Sequence, residues 1–179
     1  MKTDDNVLEV LRLFATYGFR KTSISDIAKA ADLSRQSIYN QYGSKEAVLE
    51  WAVTTFLGNI TDTVIHQLKT TDGEPAVVLS KSFQLWTGDH VPLLRGTPHG
   101  AEILDAAIIS VAKASRNYEG EFVDAITTFL WLREVFPTKR EAEETTFVLN
   151  LASKGLLLKS ETSEAYALGM KRVIKALLG

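Results

Sequence analysis

The chain has 179 residues, 45% of them hydrophobic and 23% charged, with a formal net charge of −2 and no cysteine. That balance is enough for a packed core in one domain or two small ones, and it excludes extended disorder, a disulfide framework, a thiolate metal site and a cysteine nucleophile. No apolar run is long enough to span a membrane, and the start, Met1-Lys2-Thr3-Asp4-Asp5-Asn6, lacks a signal peptide's apolar stretch, so a cytoplasmic protein with no membrane partner is expected.

Helical periodicity dominates and no stretch alternates as a half-buried strand does, so the expected fold is all-α. Val7, Leu8, Leu11, Phe14 and Ala15 line one face of a first helix, which Gly18 ends. Ser23 is placed to cap a second, with Asp26 three residues on as its reciprocal acidic partner. Ser34 caps a third and Ser44 a fourth. The fourth is long, because Val48, Leu49, Ala52, Val53, Phe56, Leu57, Ile60 and Val64 sustain the stripe until the turn cluster at Thr70 to Gly73. A fifth begins at Glu74-Pro75, where the missing proline N–H costs nothing, and stops near Gly88. His90 to Gly100, with Pro92, Gly96, Pro98 and Gly100, is expected to be a loop or a pair of short turns. Ala101 to Ala114 and Glu119 to Val135 form two further helices; Phe122, Ala125, Ile126, Phe129 and Leu130 stripe the second and Pro137 closes it. Thr138 and Glu141 make a capping box for the eighth helix, running to about Leu158, and Ser160 to Ser163 offer caps for a ninth.

Helices two and three have the spacing of a helix-turn-helix. Ala28 is small where they meet, Ile27 and Ile38 supply packing from either side, and Leu33 is expected to tuck the turn into the core. Asp32 stands where a left-handed residue is often needed, a conformation aspartate tolerates better than most. Other helical hairpins share this spacing, so the exposed side of helix three decides. No acidic residue occurs from Leu33 to Ser44. Arg35 can bind guanine bidentately and Gln36 adenine, Ser37 can reach a base edge or phosphate, and Tyr39 and Asn40 suit backbone phosphates. Ser34 brings a helix N-terminus to the phosphate line. Tyr17 to Glu46 carries five basic and three acidic residues, a local +2 against −4 for the remainder. Such a footprint suits a specific DNA reader rather than a protein that coats nucleic acid.

Tyr17-Gly18-Phe19, then Thr22-Ser23-Ile24-Ser25-Asp26-Ile27-Ala28, Leu33-Ser34, Ile38-Tyr39 and Tyr42-Gly43-Ser44-Lys45-Glu46-Ala47-Val48-Leu49 resemble the N-terminal domain of the TetR/AcrR family of bacterial transcriptional regulators. The resemblance covers roughly residues 5 to 52. It implies a homodimeric, usually repressing regulator of double-stranded operator DNA, released when a small molecule binds its C-terminal domain. The division implied is residues 1–46 as helix-turn-helix domain and 47–179 as helical effector-binding and dimerisation domain, joined by the long fourth helix. The family's DNA contacts fall on Ser23, Ser34, Arg35, Gln36, Ser37, Tyr39, Asn40 and Lys45. There are two departures from the family pattern: its His-Phe pair is Gln41-Tyr42 here, and its turn glycine is Asp32.

Beyond Trp51 the resemblance supplies an architecture and no ligand. Helices eight and nine are candidates for the dimer interface, with Ala152, Gly155, Ala165 and Gly169 allowing close approach and Phe147, Leu151, Leu158, Tyr166, Leu168 and Val173 supplying apolar area. Ordinary intrachain core is the alternative. Phe83, Trp86, Tyr118, Phe122, Phe129 and Trp131 are candidates to line a cavity for an apolar or aromatic effector, though aromatics at helical spacing also build plain cores. His99 and Glu102 share a helix face, with Asp105 following and His90 near; a weak metal site is weighed there against a solvated histidine beside a helix-start acid. No catalytic motif occurs, and neither enzyme activity, cofactor nor metal is expected. The rival readings are a DNA binder without an effector and a helical module for protein interaction.

Overall fold

The computed structural model describes residues 2–179, with side chains from Asn6 onward. The described residues form ten α-helices and a 3-10 turn at Gly88–His90, with no strand, so the all-α expectation holds. In chain order the helices are α1 (Lys2–Tyr17), α2 (Ile24–Ala30), α3 (Arg35–Tyr42), α4 (Lys45–Thr70), α5 (Pro75–Trp86), α6 (Val91–Arg95), α7 (Gly100–Lys113), α8 (Tyr118–Leu132), α9 (Lys139–Lys159) and α10 (Ser163–Leu178). The helix beyond the expected nine is α6, inside the segment read as broken. Pro92 sits in its first turn, where a proline costs no hydrogen bond, and Gly96 follows its end.

Packing divides the chain into two compact units, Met1–Asn59 with Leu93–Arg116 and Ile60–Pro92 with Asn117–Gly179. The division expected after residue 46 follows the DNA-reading motif, whereas the first packed unit runs on to Asn59 and takes in α7. The change of unit falls within α4.

In the first unit α1 lies against α2 and α7, and α2 against α3. Val7, Val10, Leu11, Phe14 and Ala15 of α1 are buried with Ile27, Ala28, Ile38, Val48, Ala52 and Ile103. The helices α2 and α3 are too short to persist alone, since isolated helices below about 12–15 residues are marginal. Each fully buried Leu, Ile or Phe contributes roughly 1.5–3 kcal/mol, and this shared interior holds them.

The second unit packs α10 against α5 and α9, and α8 against α9. Its core gathers Phe83, Phe122, Ile126, Leu130, Leu149, Met170 and Ile174. Two capping devices read from sequence form here. Thr138 Oγ1 accepts the Glu141 N–H (3.2 Å) while Glu141 Oε2 accepts the Thr138 N–H (3.0 Å), and Thr162 Oγ1 caps α10 through the Ala165 N–H (3.1 Å).

Candidate nucleic-acid interface

The first capping box positions α2. Ser23 Oγ accepts the Asp26 N–H (3.2 Å), and Asp26 Oδ2 accepts both the Ser23 N–H (3.1 Å) and the Ser23 hydroxyl (2.6 Å). Those bonds to Ser23 hold the Asp26 carboxyl below its usual range. The turn after α2 is a Schellman motif: the Leu33 N–H reaches Ala28 O (2.8 Å), the Asp32 N–H reaches Lys29 O (3.3 Å), and Asp32 takes φ 54°. Asp32 thus occupies the left-handed position inferred for it. Leu33 does not tuck into the core as expected. Its backbone closes the turn, and its side chain is 38% exposed.

The next helix, α3, starts at the Ser34 cap, whose Oγ accepts the Ser37 N–H (3.0 Å) and pairs with Ser37 Oγ (2.8 Å). Ile38 is buried on the inner face, and Arg35, Gln36, Tyr39 and Asn40 stand exposed on the other, with Ser37 half-buried at its edge. Gln36 Nε2 donates to Asn40 Oδ1 (2.8 Å) one turn on. Five of the eight DNA-contact candidates thereby fall on the outward part of one helix, with Ser34 at its start.

The other two lie apart. Ser23 is exposed at the start of α2, its hydroxyl committed to Asp26. Lys45 is only part exposed, and its Nζ donates to Phe19 O (2.6 Å), Thr22 O (3.0 Å) and Arg20 O (3.5 Å), while lying 4.5 Å from the centre of the Phe19 ring. Three protons meet three carbonyls, so the ammonium braces the loop before α2 instead of standing free for phosphate.

That loop is also held from α7, a feature invisible at the level of local sequence. Glu102 Oε2 accepts the Phe19 N–H (3.0 Å) and Oε1 bonds His99 Nδ1 (2.8 Å), while the His99 N–H reaches Ala15 O (2.9 Å). The Phe19 N–H, and after it His99, keep the Glu102 carboxyl below its usual range. Gly18 (φ 81°) is required twice over, because a Cβ there would also lie 2.9 Å from the His99 ring. An open cleft of about 510 Å³ beside this contact is lined by Tyr17, Gly18, Phe19, Arg20, Lys21, His99 and Glu102. His99 and Glu102 are therefore joined as a backbone clamp. His90 belongs to the second unit, where its Nε2 faces Leu85 O at 2.9 Å. No group of three or more His, Cys, Asp or Glu able to hold a metal occurs among the described residues.

Residues 10–52 match the family model for bacterial regulatory proteins of the tetR family. Over these residues the chain is similar to TetR-family DNA-binding domains. The HTH-type transcriptional regulator AlkX of Mycobacterium tuberculosis is 34% identical over 61 residues, which span 34% of this chain and 29% of that protein. The chain thus aligns with less than a third of that relative's length. Among solved structures, a transcriptional regulator from Rhodococcus sp. Rha1 superposes with a TM-score of 0.69 at 17% identity, covering 99% of this chain and 96% of that one. The TetR-family regulator PfmR of Thermus thermophilus gives 0.62 at 16% identity, covering 98% and 97%. At such identities the likeness is one of fold.

Within the matched segment, Tyr42, at the departure from the family's His-Phe pair, packs its ring 4.9 Å from that of Trp51, and burial raises its pKa. Gln41 is exposed beside it. Outside the matched segment, the six aromatics proposed for an effector do not all come together. Phe83 meets Phe122 edge-on (5.2 Å) and Trp86 stacks on Phe122 (4.4 Å), and Phe129 and Tyr118 are buried. Trp131 is 45% exposed at the far end of α8, on the opposite side of that helix from Phe122 and Phe129. It is therefore no wall of that cluster.

The dimer candidates also split. Phe147, Leu151, Gly155 and Leu158 form one exposed stripe on α9, and Ala165 and Leu168 are exposed on α10. Tyr166 is fully buried in its own chain, with Oη 2.7 Å from Ser153 Oγ, and that burial raises its pKa. It is core, because at 100° per residue it points away from Leu168. Val173 follows Tyr166 inward, packed against the core, and Ala152 is half-buried. Gly169 makes room for Leu156 of α9, whose Cδ2 lies 2.5 Å from where a Cβ would stand.

Proposed function

We propose that the protein is a ligand-responsive transcriptional repressor that binds a palindromic operator as a homodimer and leaves it when a small apolar or aromatic effector binds. The observation that carries this is the outward face of α3 in the matched segment, acid-free and built from side chains that donate and accept hydrogen bonds. Arg35 pairs bidentately with guanine, Ser37 and Tyr39 reach base edges or phosphates, and the Ser23 and Ser34 caps set helix N-termini against the backbone. Lys45 serves by bracing the loop from Phe19 to Thr22.

The exposed stripe Phe147, Leu151 and Leu158 on α9, with Leu168 on α10, supports dimerisation, which gives two reading heads for two half-sites. The aromatic cluster around Phe122 supports an effector of matching chemistry in residues 47–179. Effector binding acts through α4, which begins beside the DNA-reading helix and ends in the effector-binding part. A change in its tilt alters the spacing of the two heads and lowers the population that fits the operator.

The test is fluorescence anisotropy of the full chain against DNA from upstream of its own gene over a range of salt. Specific, salt-sensitive binding is expected, weakened by about 1–3 kcal/mol in Arg35→Ala. Binding indifferent to sequence, or insensitive to Arg35→Ala, would overturn the reading. A thermal-shift panel of small aromatic and apolar compounds tests the effector, which fails if none both raises the midpoint and releases DNA.

A further inference from the structure

Gln36 is the second residue of α3, in the part of a recognition helix that meets base edges, and Asn40 stands one turn on. Both side chains are exposed, and Gln36 Nε2 donates to Asn40 Oδ1 over 2.8 Å. A primary amide nitrogen has two protons, one on the side of its own carbonyl oxygen and one on the far side. Bidentate recognition of adenine uses the carbonyl oxygen to accept from N6–H and the near-side proton to donate to N7. The far-side proton cannot reach the same base edge. Asn40 Oδ1 can take it without competing with the base.

This contact does two things for recognition. In this arrangement it leaves Gln36 Oε1 and the near-side proton free for the base, and it orders a flexible side chain before DNA arrives, so less freedom is lost on binding. Ser37, the other short polar residue of the face, is already engaged by Ser34. Resting on the function proposed above, we infer that Gln36 reads an adenine in each operator half-site, and that Asn40 is the positioning residue for that reading rather than a phosphate contact.

Selection from a random-sequence duplex library with the full chain, followed by affinity measurements on single-base variants of the enriched site, tests this. One adenine is expected whose preference over other bases, about 5- to 150-fold for a bidentate pair, disappears in Gln36→Ala and when 7-deazaadenine replaces it. Asn40→Ala should shrink the same ratio. Asn40→Asp, an acceptor that still takes the far-side proton, should keep the ratio while binding all DNA more weakly through phosphate repulsion. If Asn40→Ala weakens all sequences alike and leaves the adenine preference intact, Asn40 is a phosphate contact and the inference fails. It also fails if a motif is enriched in which no adenine responds to Gln36→Ala, and there the DNA-reading function stands. No enriched motif at all would overturn the inference and that function together.

Discussion

Asp32 holds the turn of the helix-turn-helix at φ 54°, where an L side chain is strained and only partly compensated by aspartate's tolerance of the left-handed region. Its N–H and that of Leu33 make the bonds that close α2, so the backbone alone builds the turn. Asp32→Gly should therefore stabilise the protein by about 0.5–1 kcal/mol, seen as a higher midpoint in thermal unfolding followed by circular dichroism. An unchanged or lowered midpoint would show that the carboxylate contributes something the backbone does not. The left-handed position was legible in sequence, because such a turn is set by neighbours within six residues. The exposure of Leu33 was not. An apolar residue beside a turn reads as core until the chain's path says which way it faces, and the Ala28 carbonyl turns it outward.

The contrast between local and distant determinants recurs at the level of elements. Ser23 and Asp26, Thr138 and Glu141, and Pro75 at the head of α5 were readable because a cap is a relation between residues three apart. The clamp on the loop after α1 joins Phe19 to Glu102 across 83 positions, and no periodicity in either segment announces it. The bracing role of Lys45 is hidden in the sequence for the same reason: its residue type is visible and its three carbonyl partners are not. Helical phase already separates Tyr166 from Leu168, which cannot share a face of α10, and Tyr166 is the one that is buried. The Glu102 clamp has a pH signature. Its folded pKa lies below the ordinary 4.5, so its contribution is fully present above that value and is lost as pH falls through the lower folded one. Glu102→Ala should melt below wild type at neutral pH, and the two midpoints should converge in the acid range beneath 4.5. Parallel curves across that range would show that the carboxylate's charge is not what holds Phe19.

For the whole molecule, the proposed dimer face offers one substitution that separates association from folding. Gly155 has nothing within 4 Å of where a Cβ would stand, whereas a Cβ at Gly169 would require the Leu156 side chain of the same chain to shift. Gly155→Glu should raise helix propensity in α9 by roughly 0.5–1 kcal/mol while placing a charge in the exposed stripe. The expected result in sedimentation is a monomer that melts no lower than a monomeric reference such as Leu151→Glu. A Gly155→Glu protein that remains a dimer would remove this face from the interface. The loop before α2 carries a different consequence. Phe19 is held by the carboxylate of Glu102 on its amide side and by the ammonium of Lys45 on its carbonyl side, and α7 belongs to the same packed unit as the motif. The reading head is thus not the first fifty residues, although the family match ends at residue 52. Its heritable module is interrupted: a recombination joining residues 1–52 to another regulator's body would leave behind Leu93–Arg116, and with it the anchor that aims α2 and α3. If the proposed function holds, operator specificity changes more readily by substitutions on the face of α3 than by transplanting residues 1–52.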